Sequence, residues 1–176
     1  LVIRRPRGAT LVPYAALFRS APVEVLGVRQ QQRDQEIVVL LLDDASELVV
    51  PIVIGPREAS AIAMAQAGLP TPRPMTHDLL RDLLDAVGVR LERAEIVALD
   101  GGIFFAELVL SNGVRLDSRA SDAIAVAVRT GSPVLCSAEV VATAGVEVVD
   151  VAQQEEVEKF RDFLDHVQPE DFSVDE

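Results

Sequence analysis

The chain has 176 residues, 49% of them apolar and 25% charged, which is enough for one domain with a real core and excludes wholesale disorder. No apolar run reaches the roughly 20 residues of a membrane helix. Cys136 is the only cysteine, which excludes an internal disulfide and a Cys-based zinc site and is the usage expected of a reducing cytoplasm.

The formal charge of −12 is uneven: Glu147 to Glu176 holds eleven acidic residues against two basic ones, a net of −9, leaving −3 for residues 1–146. Residues 21–146 carry no basic run, which weighs against a broad phosphate-gripping surface but allows a small site built from a few arginines. All cations except Lys159 are arginines.

Residues 1–20 place Arg4, Arg5, Arg7 and Arg19 around a short apolar piece broken by Pro13, and are expected to be a leader or added extension outside the fold. The domain is expected over residues 21–146, followed by an acidic helical tail over 147–176. Val23 to Val28, Ile37 to Leu42 and Leu48 to Ile54 read as strands joined by short polar turns, an antiparallel meander in which Pro51 marks an edge or a bulge. Gly55-Pro56 opens a helix carrying Glu58 near its start and ending at Gly68.

A loop with Pro72, Arg73 and Pro74 runs into a second helix, Thr76 to Val87, with Thr76 as the expected N-cap and Leu79, Leu80, Leu83, Leu84 and Val87 at helical spacing. His77 and Asp78 fall in its first turn, where unpaired N–H groups and the helix dipole favour a carboxylate and a neutral imidazole. Glu92 to Leu99 and Ile103 to Leu110 flank Asp100-Gly101-Gly102, and Ser111-Asn112-Gly113 leads into Val114 to Asp117, so a second meander is expected. Ser118 or Ser121 would cap the next helix, which runs to Arg129 with Asp122 in or near its first turn. Val134 to Cys136 reads as a short buried strand, Ser137 to Ala142 as a further helical turn, and Gln153 to Val167 as an amphipathic helix. The fold class is α/β, more narrowly α+β: two antiparallel or mixed meanders with helices packed on the sheet.

Three stretches, in order and at their separations, carry a resemblance: Leu48 to Gly55 with Glu58-Ala59, then Arg73-Pro74-Met75-Thr76-His77-Asp78-Leu79-Leu80, then Arg119-Ala120-Ser121-Asp122-Ala123-Ile124-Ala125. Together they resemble the bifunctional nuclease family, over about residues 23–145, and the tail is similar to actinobacterial members. The resemblance implies a compact self-associating α/β unit acting on RNA and DNA. One departure stands out, since the third motif usually reads Arg-Pro-Ser-Asp and here has Ala120 in the proline's place.

Phosphodiester hydrolysis needs a group to activate water, charge to offset the phosphate and help for the leaving oxygen. The candidate catalytic residues are His77, Asp78 and Asp122. Arg73, Arg119 and Ser121 are candidates for holding phosphate. Glu58, Asp78 and Asp122 would ligate a divalent metal, Mg²⁺ or Mn²⁺, if the three helix starts converge. No compact metal-ligand motif occurs, so such a site must be assembled from distant segments. The competing expectation is that Arg73, Asp78, Arg119 and Asp122 are paired charges that lock loops around the sheet. The chain would then be a non-catalytic oligomeric module with an acidic partner-binding tail. In either case alanine-rich helices and a high apolar fraction predict a homo-oligomer, at least a dimer, with no membrane partner.

Overall fold

The computed structural model describes residues 2–4, 20–31 and 35–149. Their elements are β1 (Val2–Arg4), β2 (Ser20–Gln30), β3 (Ile37–Asp43), β4 (Leu48–Ile54), α1 (Pro56–Gln66), α2 (Thr76–Ala86), β5 (Leu91–Asp100), β6 (Ile103–Leu110), β7 (Arg115–Arg119), α3 (Ala120–Thr130), β8 (Val134–Ser137), α4 (Ala138–Ala144) and β9 (Val146–Val149). The helix expected over 153–167 and the acidic tail lie outside the described residues.

The two meanders form as the polar turns require, β2-β3-β4 and β5-β6-β7, each antiparallel throughout. Gly101 and Gly102 both take positive φ, 55° and 84°, as a two-residue hairpin turn between right-twisted strands demands. β8 joins the meanders: it runs antiparallel to β2 and parallel to β5, giving one nine-stranded sheet in the order β1-β9-β4-β3-β2-β8-β5-β6-β7. β2 serves both halves, pairing β8 through Ser20–Val23 and β3 from Glu24 onward. The β3 pairing is interrupted by a bulge at Leu26, next to Gly27 at φ 118°. Gln66, at the end of α1, donates from Nε2 to the Val25 carbonyl at 2.8 Å and so holds that bend.

Two expected boundaries shift. Val2–Arg4, expected outside the fold, pairs with β9, and β9 itself crosses the limit expected at residue 146. Both are short strands whose pairing is long-range, which local pattern does not reveal. Pro51 behaves as expected, because β9 pairs only Leu48 and Val49 of β4 and leaves the Pro51 segment as an edge among the described strands.

The core lies between the sheet and the helices. Val39, Leu41, Val50, Ile52, Ile96 and Ala106 point into it, and α3 is buried from Ala120 through Ala127 apart from Asp122. Small side chains on α3 let α1 and the strands approach closely. Val38, Leu40 and Val49 form a second cluster on the opposite side of the sheet, which accounts for the unbroken apolar run of β3. Burial, helped by the charge of Asp43, pushes the Cys136 thiol up to about 12.

Helix α2 differs from its expected role. None of its residues is buried; only Leu84 packs on the core, while Leu79, Leu80, Leu83 and the adjoining Val87 are exposed. Its apolar stripe faces away from the fold.

Candidate active site

Three helix starts do meet, through Arg119 and Asp122. Arg119 ends β7, pairing with Phe105, and is the N-cap of α3. Its Nε donates to Asp122 Oδ2 at 2.7 Å and its Nη2 to Asp122 Oδ1 at 3.1 Å, while Nη1 lies 3.3 Å from Glu58 Oε1 in the first turn of α1. Asp122 Oδ1 also meets His77 Nε2 of α2 at 3.1 Å. The cluster therefore runs Glu58, Arg119, Asp122, His77, across three helices. The His77 side chain is 12% exposed and that of Arg119 67%, so the imidazole is held while the guanidinium reaches solvent.

Burial alone would raise the Asp122 carboxyl, but hydrogen bonds and charge from Arg119 and His77 outweigh it and hold the group below its ordinary range. Being ionised, it only accepts, so His77 Nε2 is the donor in this contact.

Local structure explains the placement. The strand pairing of Arg119 delays the helix until Ala120, so neither Ser118 nor Ser121 caps it; the Ser118 hydroxyl instead donates to the Arg119 carbonyl at 3.0 Å. Ala120 sits at the first helical position, where proline is well tolerated, so its replacement of the usual proline preserves the helix start. Ser121 is buried beside the cluster. Likewise Thr76 is the first residue of α2, not its cap: Met75 is the N-cap, and its N–H donates to Asp78 Oδ2 at 2.9 Å.

Asp78 points elsewhere. Its Oδ1 accepts from Arg129 Nε at 2.6 Å. The Arg129 side chain, 4% exposed, also donates to the carbonyls of Ala125 at 2.9 Å and Ala61 at 3.0 Å. It thus ties α1, α2 and α3 together. Burial pushes the Asp78 carboxyl up, but the Met75 N–H and Arg129 together hold it below its ordinary value. Arg73 is exposed in the loop before α2, where its carbonyl accepts from the Thr71 hydroxyl at 2.6 Å, and it does not join the cluster.

Glu58, Asp78 and Asp122 consequently do not form one donor set. Asp78 meets α3 at Arg129 and Asp122 starts it, about 10 Å of helix apart at 1.5 Å per residue. Glu58 and Asp122 are bridged by a guanidinium that already occupies the place of a cation. Among the described residues no three His, Cys, Asp or Glu side chains are grouped to hold a metal ion.

Sequence reasoning missed the role of Arg129, whose signal was a single cation at the end of an otherwise apolar helix. It also missed a network on β5–β7, in which Glu95 pairs with Arg93 at 2.5 Å and with Arg115, and Arg115 with Glu107 at 2.5 Å. Beside the cluster a cavity of ≈ 410 Å³ opens between the end of β4, the β5–β6 turn and the start of α3, with Glu58, Arg119 and Ser121 on its wall.

The fold and cluster define a small α+β domain with a polar site where α1, α2 and α3 begin. The profile of the bifunctional nuclease domain matches residues 39–149, and the chain belongs to that family. Uncharacterized protein MT1877 of Mycobacterium tuberculosis is 41% identical over 160 residues, 86% of this chain and 98% of that protein. Bifunctional nuclease 2 of Arabidopsis thaliana is 27% identical over 119 residues, 64% of this chain but 36% of that protein. Bifunctional nuclease 1 of Oryza sativa subsp. indica is 23% identical over 124 residues, 67% of this chain and 38% of that protein. None of the helices among the described residues is long and apolar enough to cross a membrane.

Proposed function

We propose that this chain is a nuclease that hydrolyses phosphodiester bonds in RNA and DNA, with His77 and Asp122 as the reacting pair and Arg119 as the phosphate cation. The observation that carries the reading is the contact of His77 with Asp122, 45 residues apart and drawn from two separate family motifs, beside an arginine open to solvent. The names of the plant relatives point the same way. Asp122 fixes the imidazole so that Nδ1 takes the proton of the attacking oxygen, from water or, in RNA, from a 2′-hydroxyl. As that oxygen bonds to phosphorus and the P–O bond to the leaving group breaks, the proton returns from the imidazolium to the departing oxygen. Arg119 donates two of the five N–H groups of its guanidinium to Asp122 and lies in ion-pair range of Glu58, which leaves donors for phosphate oxygens. Mg²⁺ or Mn²⁺ would add charge offset if carried in by the substrate phosphate and met by Glu58, since such ions are commonly held by one or two carboxylates together with phosphate. Cleavage of labelled RNA and DNA by wild type and His77→Ala, in Mg²⁺, Mn²⁺ or EDTA, tests the reading; equal cleavage by both proteins would refute it.

Self-association belongs to the same proposal. The exposed row of Leu79 and Leu83 on α2 and the adjoining Val87 can meet its own copy across a two-fold axis. This row also favours the competing reading of an oligomeric interaction module without catalysis, which the same assay decides.

A further inference from the structure

The cavity beside Arg119 has two unlike walls. One is polar: Glu58, Arg119, and Ser121 in the first turn of α3, only 8% exposed. The other is apolar and comes from segments far apart in the chain. Val53 of β4 and Ile103 at the β5–β6 turn both line the cavity, yet are 56% and 62% exposed, with Phe104 beside them. Large aliphatic groups left in water at the mouth of a cavity stabilise nothing in the isolated fold.

We infer that this cavity takes one unpaired nucleotide, its base against Val53, Ile103 and Phe104 and its phosphate on Arg119 and Ser121, so that the substrate class is single-stranded nucleic acid. The volume lies in the range of small-molecule sites. A base presents a free apolar face only when it is unstacked, and in a duplex both faces are covered. The charge pattern agrees: residues 21–146 contain ten arginines against seventeen carboxylates, so the domain lacks the phosphate-binding stripe with which proteins grip a duplex backbone. Affinity must then come from packing on bases, which single strands allow. This inference rests on the proposed nuclease reading for its biological sense, but its test is one of binding.

The experiment is fluorescence anisotropy of the full chain with a labelled, cleavage-resistant phosphorothioate decamer, alone and annealed to its complement. The expected result is at least tenfold tighter binding of the single strand. Log affinity should also fall with log salt at a slope of about −1, as for one or two phosphates. Val53→Ser with Ile103→Ser should weaken single-strand binding about tenfold, on the scale of losing contact with one base, with the melting temperature unchanged; Ile103→Ser alone should show part of the loss. Equal affinity for the duplex, or unaltered binding by the double variant, overturns the inference. Single-strand binding without cleavage would sink the nuclease reading and leave this one standing; cleavage of both forms without dependence on Val53 and Ile103 would do the reverse.

Discussion

Arg119 and Arg129 sit at opposite ends of α3 and do different work. Arg119 is solvent-exposed and shared between two carboxylates, a geometry that leaves donors free; Arg129 is buried, with its donors directed at Asp78 and two carbonyls. Removing the partner of a buried charge is costly, so Asp78→Ala should destabilise the fold by about 3 kcal/mol, read as a lower midpoint in urea. The carboxyl of Asp78 is depressed below its ordinary 3.8 in the folded state, so its contribution is fully present above that value and is lost as pH falls through the lower folded value. Acid unfolding should therefore set in below about pH 4, and Asp78→Asn should flatten that dependence; a variant with the wild-type acid profile would contradict the pairing. Gly55 has a different constraint. A Cβ there would meet the Glu58 carboxylate, so Gly55→Ala should displace Glu58 from Arg119 at small cost in stability, because the obstructed group is the end of a flexible side chain. Altered affinity for the single-stranded decamer with an unchanged melting temperature would show it, and unaltered affinity would count against a role for the Glu58–Arg119 pair in binding.

Among the elements, α2 explains most of what the sequence could and could not tell. Its limits and helical spacing are legible in Leu79, Leu80, Leu83 and Leu84, yet periodicity marks an apolar stripe without saying what covers it. His77 and Asp78 are adjacent in sequence, which suggested one shared site. Successive residues on a helix do not face the same way, so His77 turns to the start of α3 and Asp78 to its end. The caps were misplaced by one residue at Thr76, and at α3 because strand pairing of Arg119 overrode the serine signals. Leu79→Glu with Leu83→Glu should return a dimer to monomers in light scattering at micromolar concentration while keeping the fold, since both side chains are exposed. A wild-type monomer would remove this face from the account.

At the scale of the molecule, the second meander was readable from its turns, because Asp100-Gly101-Gly102 and Ser111-Asn112-Gly113 impose local geometry, and the first from strand-length apolar runs joined by short polar segments. The joining of the two by β8 was not: four residues with one parallel and one antiparallel neighbour carry no pattern that specifies either. The sheet brings the β5–β6 turn and the end of β4 to one cavity beside helix starts that carry Glu58, His77 and Asp122. That convergence makes three scattered motifs one site, and it involves no large basic surface. The most direct test is the rate of cleavage of a labelled single strand by purified wild type, His77→Ala and Asp122→Asn, with melting curves confirming that each is folded. The account predicts wild-type cleavage and a loss of about 100-fold or more in both variants, the scale of a positioned acid–base group. Folded variants that cleave at the wild-type rate would contradict it.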